Sequence, residues 1–264
     1  MKCTPEQLEE IKQNSKFVKI TGLPSLFIPY IEDGLTELYI KPFELPELTL
    51  LSKAAALGTY HHLIRAVDNC ISYDINKIGI GDFWFIMFWL RTNSFPKTPY
   101  TLAWNCNSPF FKNKETGEYL YYKDVAKWNV TVEQLETEHE ATPCGTANAS
   151  PINRESLTIK ELDEDFILPE GFDFPRVAIM DELEEALKDT EQTFLAPGIQ
   201  WLPGLTWDEK IRYANENPAE LMEGLKLNRQ VVYGIVETAK VMCRNCTVSH
   251  EFELELNAIN FFQQ

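Results

Sequence analysis

Between Leu50 and Ile71 apolar side chains return every three or four positions, at Leu50, Leu51, Ala54, Leu57, Leu63, Ile64, Val67 and Ile71. That spacing places them on one face, so the pattern predicts a single helix over 46–71 with Pro46 in its first turn. The run Phe83–Leu90 (FWFIMFWL) is apolar on all sides. A helix over 83–92 must then be buried on most sides and is the expected centre of the core, with Asp82 placed to cap it. Val177–Lys188 predicts a third helix, with Ile179, Met180, Leu183 and Leu187 on one face and carboxylates on the other. Shorter helices are expected from Pro5, over 131–140, over 207–216 and over 218–227.

Alternation marks the strands. Thr36–Phe43, Tyr100–Cys106 and Ser156–Ile159 read as strands, and 108–123 reads as a hairpin turning at Thr116-Gly117. Tyr233–Met242 and Ser249–Leu256 read as two strands around a four-residue turn. Proline and glycine keep 21–35 and 196–205 irregular. The expected fold class is α+β: a helical N-terminal part packed on strands, with a zinc-ribbon-like β element built from mid-chain and C-terminal cysteines. The expected parts are 1–106 (mainly helical core), 107–143 (insertion), 144–230 (acidic, mainly helical) and 231–264 (C-terminal hairpin), joined in one interlocked unit.

Charge narrows the function classes. The 264 residues carry 24 Lys+Arg against 40 Asp+Glu, a net charge of −16. Such a chain repels phosphate backbones and anionic lipid, so neither nucleic acid nor a membrane surface is expected as a partner. The longest apolar run has eight residues, far short of the roughly 20 a membrane-spanning helix needs. The N-terminus MKCTPEQLEEIKQ lacks the apolar core of a signal peptide. A cytoplasmic location is expected, and there six cysteines are better read as thiols or metal ligands than as disulfides. Residues 155–191 hold 13 Asp/Glu against three Lys/Arg: a solvated face, or a docking surface for a basic partner.

Cys243-Arg244-Asn245-Cys246 is the strongest local signal. Two cysteines two residues apart between strands form one knuckle, which is half of a tetrahedral zinc site. Cys106 ends a strand and Cys144 precedes Gly145, so the two can supply the other half although 37 residues separate them. One structural zinc on Cys106, Cys144, Cys243 and Cys246 is therefore expected, with His139 and His250 as reserve ligands. The plainer alternative is four unlinked buried thiols; Cys3 and Cys70 fit that alternative better. Four thiolates close the coordination sphere, whereas a catalytic zinc keeps a position open for water. The chain has no G-x-S-x-G, H-E-x-x-H or G-x-x-x-x-G-K-[ST] motif. Gly79-Ile80-Gly81 lacks the third glycine of a dinucleotide fingerprint and reads as a turn before a helix. No enzyme activity is expected.

The order of several pieces resembles the baseplate hub assembly proteins of T-even-type contractile-tailed bacteriophages. Leu23-Pro24-Ser25 precedes a strand ending Ile40-Lys41-Pro42-Phe43. The helical region 46–71 leads into Asp74-Ile75-Asn76-Lys77-Ile78, Gly81-Asp82 and an apolar helix ending Leu90-Arg91. The strand Tyr100–Cys106 reaches a cysteine, and Cys243-Arg244-Asn245-Cys246 is followed by Phe252-Glu253-Leu254-Glu255-Leu256 and Asn260-Phe261-Phe262. The likeness covers roughly 20–106 and 230–262. It departs from the family pattern where a compact C-x-x-C is expected mid-chain: here only Cys106 stands, followed by Asn107-Ser108-Pro109.

The resemblance implies a non-enzymatic role in assembly of the central hub, as a hub component or an assembly chaperone. It places the protein in the host cytoplasm during assembly, and in the virion tail baseplate if it is retained. Implied partners are other hub proteins and the tape-measure protein. Trp104, Tyr121, Tyr122 and Trp128 are candidates for the contact surface, because aromatics are enriched in interface cores. A zinc-ribbon adaptor of a transcription or other nucleic-acid machine is the competing reading. It calls for basic charge at the knuckle, yet 237–256 set Lys240 and Arg244 against four glutamates.

Overall fold

Residues 4–116, 119–121, 139–189 and 192–254 are described by the computed structural model of the chain. Among them the order is α1 (Pro5–Gln13), β1 (Val18–Ile20), β2 (Leu38–Ile40), α2 (Leu45–Leu57), α3 (Tyr60–Asp68), α4 (Ile80–Ser94), β3 (Thr101–Asn105), β4 (Pro109–Asn113), β5 (Tyr119–Tyr121), β6 (His139–Pro143), β7 (Ala147–Pro151), β8 (Leu157–Lys160), α5 (Met180–Lys188), α6 (Ala196–Ile199), α7 (Trp207–Glu216), α8 (Pro218–Gln230), β9 (Gly234–Met242) and β10 (Ser249–Glu253). The fold class is α+β with small antiparallel sheets.

Contacts divide the chain into two compact units. One spans Met1–Thr98, Ile159–Val236 and Leu256–Gln264, and the other Pro99–Thr158 and Glu237–Glu255. These boundaries fall elsewhere than the four parts read from the sequence, because strands far apart in the chain pair within one unit.

In the first unit α4 is the central element, as its all-round apolar sequence requires. Phe83, Phe85, Ile86, Met87 and Leu90 are buried there with Leu23, Tyr30, Leu38, Ile40, Leu63 and Val67. The expected helix over 46–71 is two helices. Gly58 ends α2 in the left-handed region at φ +67°, a conformation that costs a residue with a Cβ about 1–2 kcal/mol. Thr59 is extended and α3 starts afresh. Leu51 and Ala54 before the break and Leu63 and Val67 after it are buried in the same core, whereas Leu57 beside the break is 63% exposed and leaves the predicted stripe.

Asp82 does not cap α4 from outside. It lies within the first turn, fully buried. One carboxylate oxygen accepts from Ser25 N–H at 3.0 Å and the other from the Tyr30 hydroxyl at 2.5 Å. The Tyr30 oxygen in turn accepts from Gly79 N–H at 2.9 Å. Burial pushes the Asp82 carboxyl up to about 6, against the pull of these donors and of Arg176. The carboxylate thus ties the irregular segment 23–30 to the N-terminus of α4. The two glycines there have a packing reason: a Cβ on Gly81 would lie 2.6 Å from the Tyr233 carbonyl oxygen, and one on Gly79 would lie 2.5 Å from the Tyr233 hydroxyl.

The second unit is all strand among its described residues. β3 pairs with β7, and β4 lies between β5 and β6. Asn105 faces Ala147 and Pro109 faces Pro143, so both ladders keep one register across the step between them. β9 and β10 form the expected hairpin around the cysteine turn, with Met242 facing Ser249. The short helix expected over 131–140 falls mostly outside the described residues, and its last two positions begin β6. No described helix is long and apolar enough to cross a membrane.

Candidate metal centre

Two corners of the second unit supply the cysteines. The first is the turn between β9 and β10. Cys243 N–H donates to Val248 O at 3.0 Å and Thr247 N–H to Cys243 O at 2.9 Å, with Thr247 left-handed at φ +57°. This tight turn aims both Cys243 and Cys246 inward; they are 0% and 2% exposed. The second corner is the step between the two ladders. Cys106 N–H donates to Thr146 O at 3.0 Å, Gly145 N–H to Cys106 O at 2.9 Å, and Cys144 N–H to Ser108 O at 2.8 Å. Gly145 takes φ +62°, where a side chain is disfavoured. Cys106 and Cys144 therefore sit diagonally across one antiparallel ladder. The 37 residues between them leave along β4 and return along β6, so sequence distance becomes spatial contact.

The four sulfurs lie within 4.8 Å of one another. Cys106 Sγ is 3.5 Å from Cys246 Sγ, and Cys144 Sγ is 3.9 Å from Cys243 Sγ. Both separations are much longer than a disulfide, at about 2.05 Å. Both are close to the edge of a tetrahedron with 2.3 Å metal–sulfur bonds, which is about 3.8 Å. Four thiols at this spacing can hold a metal ion, and the residues fit a soft cation without any further ligand.

The local electrostatics favour negative charge on part of the cluster. Burial pushes the Cys243 thiol up, but the N–H groups of Cys246 and Asn245 and the side chains of Cys246 and Asn148 outweigh it and bring it down to about 6. Burial raises Cys246 to about 12, and the neighbouring sulfurs of Cys106, Cys243 and Cys144 push the same way against the Val248 N–H. One sulfur is ready to ionise while its neighbour keeps its proton. A central cation would remove the mutual repulsion that keeps the second proton on.

His250 is not among the four clustered ligands. Its Nε2 lies 3.3 Å from Cys106 Sγ and 3.1 Å from Ser108 Oγ, so it touches a cysteine from outside the cluster. The His139 side chain lies outside the described residues, and so do Tyr122, Trp128 and the side chain of Tyr121. Trp104 is placed in the packing rather than on a contact surface. It is 8% exposed, its ring lies 4.7 Å from His250 and 5.1 Å from Phe252, and its Nε1–H donates to Ser150 Oγ at 3.0 Å. Alternation along β3 turns this large apolar group inward.

Two asparagines escaped the sequence reading. Asn245, inside the C-x-x-C, donates its side-chain N–H to Thr146 Oγ1 at 3.2 Å and lies 3.7 Å from Cys144 Sγ. Asn148 reaches both corners. Asn245 could have been suspected from its place in the knuckle, but nothing in the sequence around Asn148 marks it. Comparison with known protein families, with curated proteins and with solved structures finds no match to this chain.

Proposed function

We propose that this is a non-enzymatic assembly protein whose second unit is held together by one structural zinc ion on Cys106, Cys144, Cys243 and Cys246. The observation that carries the reading is the closure of the site: four sulfurs within 4.8 Å fill a tetrahedral sphere and leave no position for water or substrate. Bound there, zinc supplies a crosslink and no chemistry. It joins the corner at 106 and 144 to the hairpin at 243 and 246. Size supports the need for such a link. The second unit has about 80 residues, the range in which a small core is commonly supplemented by a metal or disulfides.

The resemblance to baseplate hub assembly proteins gives the setting: assembly of the central hub of a contractile tail, in the host cytoplasm, with other hub proteins and the tape-measure protein as partners. The acidic charge of −16 favours protein partners over nucleic acid. The test is a pull-down with the tagged chain from cells producing the rest of its tail genes, read by mass spectrometry. Recovery of hub or tape-measure proteins is the expected result. Recovery of polymerase subunits or nucleic acid instead would overturn the assembly reading in favour of an adaptor.

A further inference from the structure

The metal centre is split between two pieces of chain, and one buried side chain touches both. Asn148 on β7 is 6% exposed. Its Oδ1 accepts from Arg244 N–H at 3.0 Å, inside the C-x-x-C turn. Its Nδ2 donates to the Thr146 carbonyl at 2.8 Å, at the other corner, and lies 3.7 Å from Cys243 Sγ as a donor. A primary amide has two N–H donors and one acceptor oxygen. Here all of them are directed at groups of the cysteine cluster. Asn245 also bridges the corners, but its side chain is exposed and its contacts compete with water.

We propose that Asn148 is an outer positioning residue of the metal centre: it clamps the two half-sites in register and donates an N–H to the Cys243 sulfur. This rests on the metal reading above. Two physical effects follow from the geometry. The clamp sets the distance between the two cysteine pairs before the cation arrives, so less chain ordering accompanies binding. The N–H to sulfur spreads the negative charge of four thiolates around a divalent ion, whose net charge with that ion is −2. Groups of this kind commonly change metal affinity by about 10–100-fold when removed.

Two substitutions separate positioning from mere filling of space. Asn148→Asp keeps the shape and the acceptor for Arg244 N–H, loses both N–H donations and brings a carboxylate beside Cys243. Asn148→Ala removes everything. If Asn148 only filled space, the isosteric Asp variant would hold metal like the wild type and Ala would be the weaker binder. The positioning role gives the opposite order. The experiment loads the full chain with zinc and follows its release to a chromophoric chelator, alongside the visible and near-ultraviolet spectrum of the cobalt-loaded chain.

The wild type is expected to show the intense sulfur-to-cobalt bands of a tetrathiolate site. Both variants are expected to release zinc at least about tenfold faster, with Asp at least as fast as Ala and the sulfur-to-cobalt bands displaced. Asp releasing zinc at the wild-type rate, in a chain whose wild type shows the tetrathiolate spectrum, overturns the role of Asn148. A wild type without that spectrum overturns the metal reading itself.

Discussion

Cys243→Ser is expected to empty the metal centre and unfold the second unit while leaving the first intact. Cys243 is fully buried at the knuckle, and its sulfur is the one held ionised most easily. A serine hydroxyl does not ionise near neutral pH and is a harder, weaker ligand for zinc. Structural zinc contributes about 10–16 kcal/mol in small zinc-folded peptides, comparable to the 5–15 kcal/mol that holds a whole domain. Losing one of four ligands should therefore remove most of the stability of a unit of roughly 80 residues. Among the described residues the core it would leave is modest: besides the cysteines its buried apolar groups are Tyr100, Trp104, Phe111, Ile152, Leu157, Ala239, Val241 and Leu254.

Hydrogen exchange read by mass spectrometry checks this residue range by residue range, with zinc present. Protection should be lost across 101–113, 139–158 and 238–253 and retained in α4. Cys3→Ser is the comparison, since the proposed site is built on Cys106, Cys144, Cys243 and Cys246, and it should keep protection in both units. Equal protection in the two variants would contradict the structural role of the centre.

Gly234→Ala is expected to destabilise the first unit by about 4 kcal/mol. Two terms add. Gly234 holds φ +106°, which a residue with a Cβ adopts only at a cost of about 1–2 kcal/mol. The new methyl would also lie 2.7 Å from the Gly81 carbonyl oxygen and 2.9 Å from its Cα. Backbone at that distance cannot swing aside like a flexible side chain, and overpacking of this kind typically costs about 1–3 kcal/mol. Gly22→Ala serves as the control: it has normal φ and nothing within 4 Å of its added Cβ, so its effect should stay within about 0.5 kcal/mol. Urea unfolding curves compare the two. A loss below about 1 kcal/mol for Gly234→Ala would show that the crossing at Gly81 is looser than its geometry indicates.

The same crossing shows what kind of information the sequence carries. Gly79-Ile80-Gly81 reads as a turn before a helix; the helix is there, but it begins at Ile80, so Gly81 already lies within its first turn. The reason for the glycines is Tyr233, some 150 residues away, whose carbonyl oxygen and ring crowd Gly81 and whose hydroxyl crowds Gly79, and local pattern holds no trace of it. Asp82 misled in the same way: an acidic residue before an apolar helix reads as a cap, but its partners are Ser25 and Tyr30. Periodicity located the apolar helix, the hairpin at 108–123 and the strands around the knuckle, because each follows from its own spacing.

Periodicity missed β1, and also β7, whose sequence Ala-Asn-Ala-Ser-Pro has little strand preference and is held by pairing with β3. The cysteine cluster was legible as a composition argument: a C-x-x-C needs a second half, and few thiols were left to provide it. Asn148 was not, since a buried amide serving two distant turns looks like any polar residue in a loop. Of the aromatic candidates only Trp104 has a described side chain, and it packs inside its own unit.

X-ray absorption at the zinc edge, on purified full-length protein, tests the central claim most directly. The account predicts one zinc per chain, surrounded by four sulfur atoms at about 2.3 Å and no lighter ligand. Absence of zinc, or a shell containing nitrogen or oxygen in place of one of the sulfurs, would contradict it.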